Sequence, residues 1–362
     1  MELLNATKMV AGYTLGMTPE GRESLVVVAK GTYLIPAAGH PARLAPEQAP
    51  IVESDTFTGD PGFSATVHES EYAATKPRCD VLLNGSAYAP GGAPTTEVEV
   101  SLSVGSMKKS IKVIGKRTWR QTLLGPAPGP PEPFTAQPFS YDNAFGGSDT
   151  SHENPAKHAA YMANPVGSGF CLNSATEAID GLPMPSTEEP GKPIGDPRGK
   201  YRPMAFGAVA RHSEPRRLHA GTYDDAWLED GFPFLPADFD PRYFQAAPDD
   251  QQIDYPSGGE PVELENLHPA GRVTFELPPT ELPVEFFRSE STMEARQAVV
   301  DTLLIEPDLG TFCLTWRASL PLQKNVFEVP KCIVGKMPRG WYRARDLGKR
   351  YHGSLAELIE DS

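Results

Sequence analysis

The chain has 362 residues and a formal net charge of -14. That anionic balance argues against a nucleic-acid partner, because a phosphate backbone is held by a cationic footprint. The short basic clusters at 211–217 and 331–350 therefore read as solvated faces or protein contacts. The 38 prolines and 33 glycines exceed ordinary usage without reaching the level of a low-complexity chain, which describes a folded protein with many turns and long ordered loops.

The first region, 1–120, reads as strands. Residues 24–35 are β-branched and aromatic and close on Pro36, and 81–88 end at Pro90-Gly91-Gly92. Over 96–104, Val98, Val100, Leu102 and Val104 alternate with Glu97, Glu99, Ser101 and Ser103, the period-two pattern of a sheet with one face buried. A turn at 105–109 leads to Ile111 and Val113 with Lys112 and Lys116, so the pair is expected as a hairpin with Glu opposite Lys.

The middle region, 121–270, has little periodicity. Pro126 to Pro133 is expected to be a stiff connector of polyproline geometry. The remainder is too rich in aromatic residues for a disordered linker. It reads as an ordered loop assembly anchored by Phe, Tyr and Trp, the kind of segment in which binding surfaces tend to lie. In the last region, 271–362, strands return at 271–277, 301–306 and 311–318, with a turn at Pro307-Asp308-Leu309-Gly310 between the latter two. Ser354 with Glu357 three residues on marks a short helix at 354–359.

The expected fold is mainly β. A sandwich or barrel-like core is built from N- and C-terminal strands, with long ordered Pro/Gly/aromatic-rich loops, in one composite domain. Four dispersed cysteines (Cys79, Cys171, Cys313 and Cys332) do not form a disulfide framework. The first residues lack the basic and apolar regions of a signal peptide, and no stretch approaches a membrane span, so the expected compartment is the cytoplasm.

Catalytic patterns are sparse. Gly167-Ser168-Gly169 is too short for a nucleophile elbow, and no phosphate-binding loop occurs. His152 and His158 lack the one-turn spacing of a zinc-binding pair, so neither a metal nor a cofactor is expected. The acidic run Asp224, Asp225, Glu229, Asp230, Asp238, Asp240, Asp249 and Asp250 could serve a hydrolase of the glycosidase type. Its commoner use is to cap turns. Trp316 is expected in the core; Trp119, Trp227 and Trp341 could be core or interface.

Several words stand in order along the chain: Gly59-Asp60-Pro61-Gly62, Glu69-Ser70-Glu71-Tyr72, Lys76-Pro77-Arg78-Cys79-Asp80-Val81-Leu82-Leu83-Asn84-Gly85, Ala87-Tyr88-Ala89-Pro90-Gly91-Gly92, Asn164-Pro165-Val166-Gly167 and Gly258-Gly259-Glu260. The stretches 141–147, 220–227 and 239–252 belong with them. Together, over roughly 5 to 320, they closely resemble the domain-of-unknown-function 2169 family. The chain departs from that pattern at Asn5-Ala6-Thr7-Lys8, where a Thr-Pro-Phe run is expected, and at Cys79, where Thr is common.

The resemblance implies an adaptor or chaperone of a bacterial type VI secretion system. Such a protein is encoded beside a VgrG spike, a PAAR-tip protein and a toxic effector, and helps load the effector onto the spike. It implies no catalytic residue. The side chains expected to contact these partners lie in the middle loops: Tyr141, Phe145, Tyr223, Trp227, Phe239, Tyr243 and Phe244. Each could equally fix its own loop. The alternatives are a hydrolase using the 224–250 carboxylates and a structural component of the secreted particle.

Overall fold

The computed structural model describes residues 1–353 apart from 19, 174, 290 and 291; the helix expected at 354–359 lies outside the described residues. The strands that carry the fold are, in chain order, β1 (Glu2–Asn5), β2 (Val10–Met17), β3 (Glu23–Leu34), β4 (Cys79–Leu83), β5 (Glu97–Val104) and β6 (Met107–Ile114). They continue as β7 (Pro261–Glu265), β8 (Arg272–Glu276), β9 (Leu282–Phe287), β10 (Met293–Glu306), β11 (Thr311–Pro321) and β12 (Lys331–Val334).

The larger sheet runs β1-β12-β9-β10-β11-β3-β2, and the smaller one sets Thr187–Glu188 beside β6-β5-β7-β8. The protein is mainly β, as expected, and its core lies between the two sheets. Leu25 and Val27 of β3, Leu303 and Ile305 of β10, and Phe312, Leu314 and Trp316 of β11 meet Val100, Leu102, Ile111, Val262 and Leu264 from the smaller sheet. A ring stack joins the layers: Tyr33 lies 5.2 Å from Phe312 and Phe275 lies 5.0 Å from it on the other side. Trp316 is buried, and its Nε1 donates to the Thr280 carbonyl at 2.7 Å.

The long strand β10 serves two neighbours. Its first half pairs with β9 (Leu282 opposite Ala298), while its second half carries β4 in parallel (Asp80 opposite Thr302, Leu83 opposite Ile305). The change falls at a register irregularity between Val300 and Thr302, where the local twist of a bulge lets one strand turn to a second partner. The hairpin of β5 and β6 forms with Lys112 opposite Glu99 and its Nζ 2.8 Å from Glu97.

The expectation of a polyproline connector is corrected. Gly125–Pro128 pairs with Trp119–Thr122, setting Pro126 opposite Gln121 and Pro128 opposite Trp119. In a two-stranded ribbon a proline's missing N–H can face away from the ladder, so the segment tolerates pairing that a central strand would refuse. Elsewhere the middle region holds short strands, such as Ala136–Phe139 paired with Gly85–Tyr88, four-residue helices at Thr176–Ile179 and Glu214–Arg217, and isolated 3-10 and π-helical turns, an ordered assembly with little regular structure.

Candidate functional site

The outer face of the large sheet carries buried polar groups beside the apolar Val26 and Val28. On β3 and β11, Leu25, Val27, Phe312, Leu314 and Trp316 face the core, while Lys30, Thr315 and Arg317 alternate to the other side and are still buried. A buried charge persists only when paired and hydrogen-bonded, and each of these is. Lys30 Nζ donates to Glu71 at 3.0 Å and to the Pro50 carbonyl at 3.1 Å, and Thr315 Oγ1 donates to the other Glu71 oxygen at 2.8 Å. Arg317 pairs with Asp301 and donates to the carbonyls of Ala73 and Glu71.

The same layer holds the loops of the middle region. Asp80 is fully buried and accepts from Lys76 Nζ at 2.8 Å, Gln245 Nε2 at 2.6 Å, Ala246 N at 2.8 Å and Ala247 N at 3.1 Å. Burial alone would depress the Lys76 pKa, but the carboxylates of Asp80, Asp301 and Glu69 outweigh it and raise it. Glu69 accepts from Arg216 at 2.7 Å and from Arg211 at 2.9 Å, and Arg211 also pairs with Asp55 at 2.9 Å. Arg216 then donates to the Tyr243 carbonyl at 2.7 Å and lies over the Tyr243 ring at 5.6 Å. The basic cluster 211–217, expected as a solvated face or a partner contact, is therefore in part internal.

This network fixes the peptide of Tyr243, whose ring packs with Phe239 at 5.9 Å and Phe244 at 6.0 Å. Beside it runs a groove of about 400 Å³ lined by Asp55, Phe57, Arg211, Arg217, Ala220 and Tyr243. Next along the chain an acidic aromatic lobe stands out. Trp227 opens a π-helical turn, Trp227–Gly231, a local form often found at functional positions. Its backbone N–H is capped by Asp224 at 2.9 Å, and its Nε1 donates to the Phe234 carbonyl at 3.0 Å. Tyr223 and Phe232 pack edgewise on the Trp227 ring at 4.8 and 5.8 Å.

The lobe is held at both ends. Asp238 accepts from Thr222 N at 2.9 Å and from Thr222 Oγ1 at 2.8 Å. Phe234 lies so close to Gly21 that a Cβ there would stand 2.8 Å from its ring. Yet the outer rings are uncovered: Tyr223 is 55% exposed, Leu228 60%, Phe232 66% and Phe234 45%. Between Ala220 and Pro241 there is no lysine, arginine or histidine, whereas Asp224, Asp225, Glu229 and Asp230 stand among the exposed rings.

Of the seven expected contact residues, the structure places five in two clusters. Tyr223 and Trp227 form the lobe, and Tyr243 with Phe239 and Phe244 forms the aromatic cluster beside the groove. Tyr141 and Phe145 lie elsewhere, and both are buried. Tyr141 packs with Ala65, Val166 and Val209, and Phe145 meets Tyr161 and Tyr201 at 5.0 and 4.9 Å; they hold their loops together. Leu228, Phe232 and Phe234 were missed by sequence reasoning. Their signal was apolar side chains interspersed with acids in a stretch without strand or helix period.

Four of the eight carboxylates considered for hydrolysis hold structural partners. Besides Asp224 and Asp238, Asp240 caps Arg242 N at 2.9 Å and pairs with its guanidinium, and Asp250 pairs with Arg202 at 2.7 Å. His152 Nδ1 receives the Asn154 N–H at 2.9 Å, and His158 Nε2 lies 2.8 Å from the His152 carbonyl, a self-contained turn. The four cysteines are free and buried. Among the described residues no helix is long and apolar enough to cross a membrane.

Comparison with characterised proteins returns no match among curated sequences and none among solved structures. A family model described as an uncharacterized protein conserved in bacteria, domain of unknown function 2169, matches residues 20–317. That span contains β3 to β10 and most of β11, and takes in the polar layer, the groove and the lobe. The chain belongs to the domain-of-unknown-function 2169 family.

Proposed function

We propose that this protein is a cytoplasmic adaptor of a bacterial type VI secretion system that binds a toxic effector and helps load it onto the VgrG spike or its PAAR tip. The observation that carries the reading is the lobe at 220–236. It combines uncovered aromatic and leucine side chains with four acidic groups on a segment pinned at both ends. Exposed apolar surface rimmed by charge marks a protein-binding site, and a pre-ordered one loses less entropy on association. Its chemistry fits a partner that offers apolar pockets beside lysine or arginine, and attraction to the acids would speed encounter at low salt.

The reading is tested with the purified full-length chain and the effector, VgrG and PAAR proteins encoded beside it. The triple substitution Tyr223→Ala/Leu228→Ala/Phe232→Ala removes side chains that are more than half exposed, two of which rest on the Trp227 ring, so the melting temperature should change little. Affinity for one of these proteins should fall by about 10- to 100-fold. In cells, deleting the gene should stop secretion of the neighbouring effector and spare others. Failure of the wild-type chain to bind any of the neighbouring proteins would sink the adaptor reading.

A further inference from the structure

The ribbon formed by Trp119–Thr122 and Gly125–Pro128 ends in Leu123 and Leu124, which are 106% and 101% exposed. No described residue covers either side chain. Turn positions ordinarily go to Gly, Asn, Asp, Ser or Pro because those residues fit the backbone or hydrogen-bond to it. Here Thr122 already supplies that chemistry, its Oγ1 donating to the Gly125 carbonyl at 2.7 Å, and Gly125 takes the positive φ of 115°. The turn therefore has no need of leucine at either position.

The base of the ribbon is fixed. Trp119 is fully buried, its Nε1 donates to the Gly169 carbonyl at 2.9 Å, and its backbone N–H donates to Leu182 O at 2.8 Å. Asp180 accepts from Gln121 N at 2.9 Å, and Gly129 N donates to Thr118 O at 2.8 Å. The two leucines are thus presented on a held stalk, which is the arrangement of a preorganised anchor. The stalk is also cationic on an anionic protein. From Lys116 to Pro131 there is no acidic residue, and although Arg117 pairs with Glu188, Lys116 and Arg120 are exposed and form no ion pair with any described residue.

We infer that this hairpin is a second docking element, which inserts Leu123 and Leu124 into an apolar pocket with acidic side chains on its rim, on a protein other than the one that covers the acidic lobe. The inference rests on the adaptor reading for the identity of the two proteins. Opposite charge separates the two elements: residues 220–240 carry only acids and residues 116–131 only bases, with Asp180 bound to the Gln121 N–H at the ribbon's base, so an acid-rimmed pocket that suits the leucine tip repels the lobe. A membrane is the weaker occupant, since two leucines and two cations fall short of the signals that stable anchoring takes.

The test compares binding of the full-length wild-type chain, Leu123→Ser/Leu124→Ser, Arg120→Glu and the lobe triple variant to the neighbouring effector and spike proteins. The leucine variant is expected to weaken binding to one of them by about 100-fold and to leave the other within about twofold. Arg120→Glu should weaken the same partner by about tenfold and flatten its salt dependence. The lobe variant should show the opposite preference. Unchanged affinity of the leucine variant for both proteins overturns this inference and leaves the adaptor reading standing. If the wild-type chain binds neither, the adaptor reading falls and takes the inference with it. Leucine-dependent binding to phosphatidylethanolamine–phosphatidylglycerol vesicles, or leucine-dependent self-association in sedimentation velocity, would also overturn it, in favour of a lipid surface or a second copy.

Discussion

At Asp80 one carboxylate closes four hydrogen bonds from two segments: Lys76 of the preceding loop, and the Gln245 side chain with the N–H groups of Ala246 and Ala247. Removing one partner of a buried ion pair leaves the other charge uncompensated, which costs far more than the pair is worth against apolar residues of the same shape. Asp80→Asn is therefore expected to lower stability by about 3–5 kcal/mol, read from the urea midpoint. The double change Lys76→Met/Asp80→Leu should recover part of that loss. A single variant within about 1 kcal/mol of wild type would show that Lys76 finds another counter-charge. Both residues sit in the Lys76-to-Gly85 word that the sequence displays, yet the word alone does not say what the carboxylate holds. Its partners at 245–247 lie more than 160 residues away in the chain, and no local pattern encodes a contact of that range. The same limit explains Tyr141 and Phe145: aromatic residues in loops are read as candidate contacts, and only the packing shows that these two face inward.

Among elements, the hairpin of β5 and β6 was the most legible, because period two fixes both its existence and its faces. That periodicity also places Lys109 in phase with Ile111 and Val113, on the buried side. Its Nζ donates to the Ala205 carbonyl at 2.9 Å and to Gln251 Oε1 at 2.5 Å. Burial drives its pKa from 10.5 down to about 8, against the pull of Asp250. Between about pH 8 and 10.5 the unfolded chain carries a proton here that the folded chain lacks, so the stability contributed by this position rises with pH across that window. Relative to Lys109→Met, wild type should gain about 2 kcal/mol between pH 7.5 and 9.5 in paired denaturant titrations. A difference that stays flat would mean Lys109 remains charged. Other elements were less legible. The first half of β10, Met293 to Val300, carries Glu294, Arg296 and Gln297 and lacks the β-branched run seen at 301–306; its strand form comes from pairing with β9. At 126–133 proline content masked a strand that exists because Trp119 anchors its neighbour.

For the molecule as a whole, the question is whether the loop-rich middle is a separate unit. It is stitched to the sheet by Asp80, by Gln251, whose Nε2 donates to Val81 O at 2.7 Å and Phe206 O at 2.9 Å, and by the contact of Leu82 with Ala208, Ala246 and Ala247. Buried bonds of this kind break together, so 1–120, 121–270 and 271–362 are expected to unfold as one unit. Trp119 reports the middle and Trp316 the sheet, both from buried sites. Fluorescence from variants retaining one or the other should give denaturation curves that superimpose with far-ultraviolet circular dichroism. Separate midpoints would establish two units.

The pairing of β1 with β12 has a consequence for how the protein is made. Glu2 lies opposite Lys331 and Asn5 opposite Val334, so a strand synthesised at the start waits for one synthesised near the end. At about 5–20 residues per second that interval is on the order of tens of seconds, during which β1 waits for its ladder partner. Chains with such distant pairings close slowly, because the loop entropy must be met before the contact forms. Birth order, as much as sequence, sets when this sheet acquires its last neighbour.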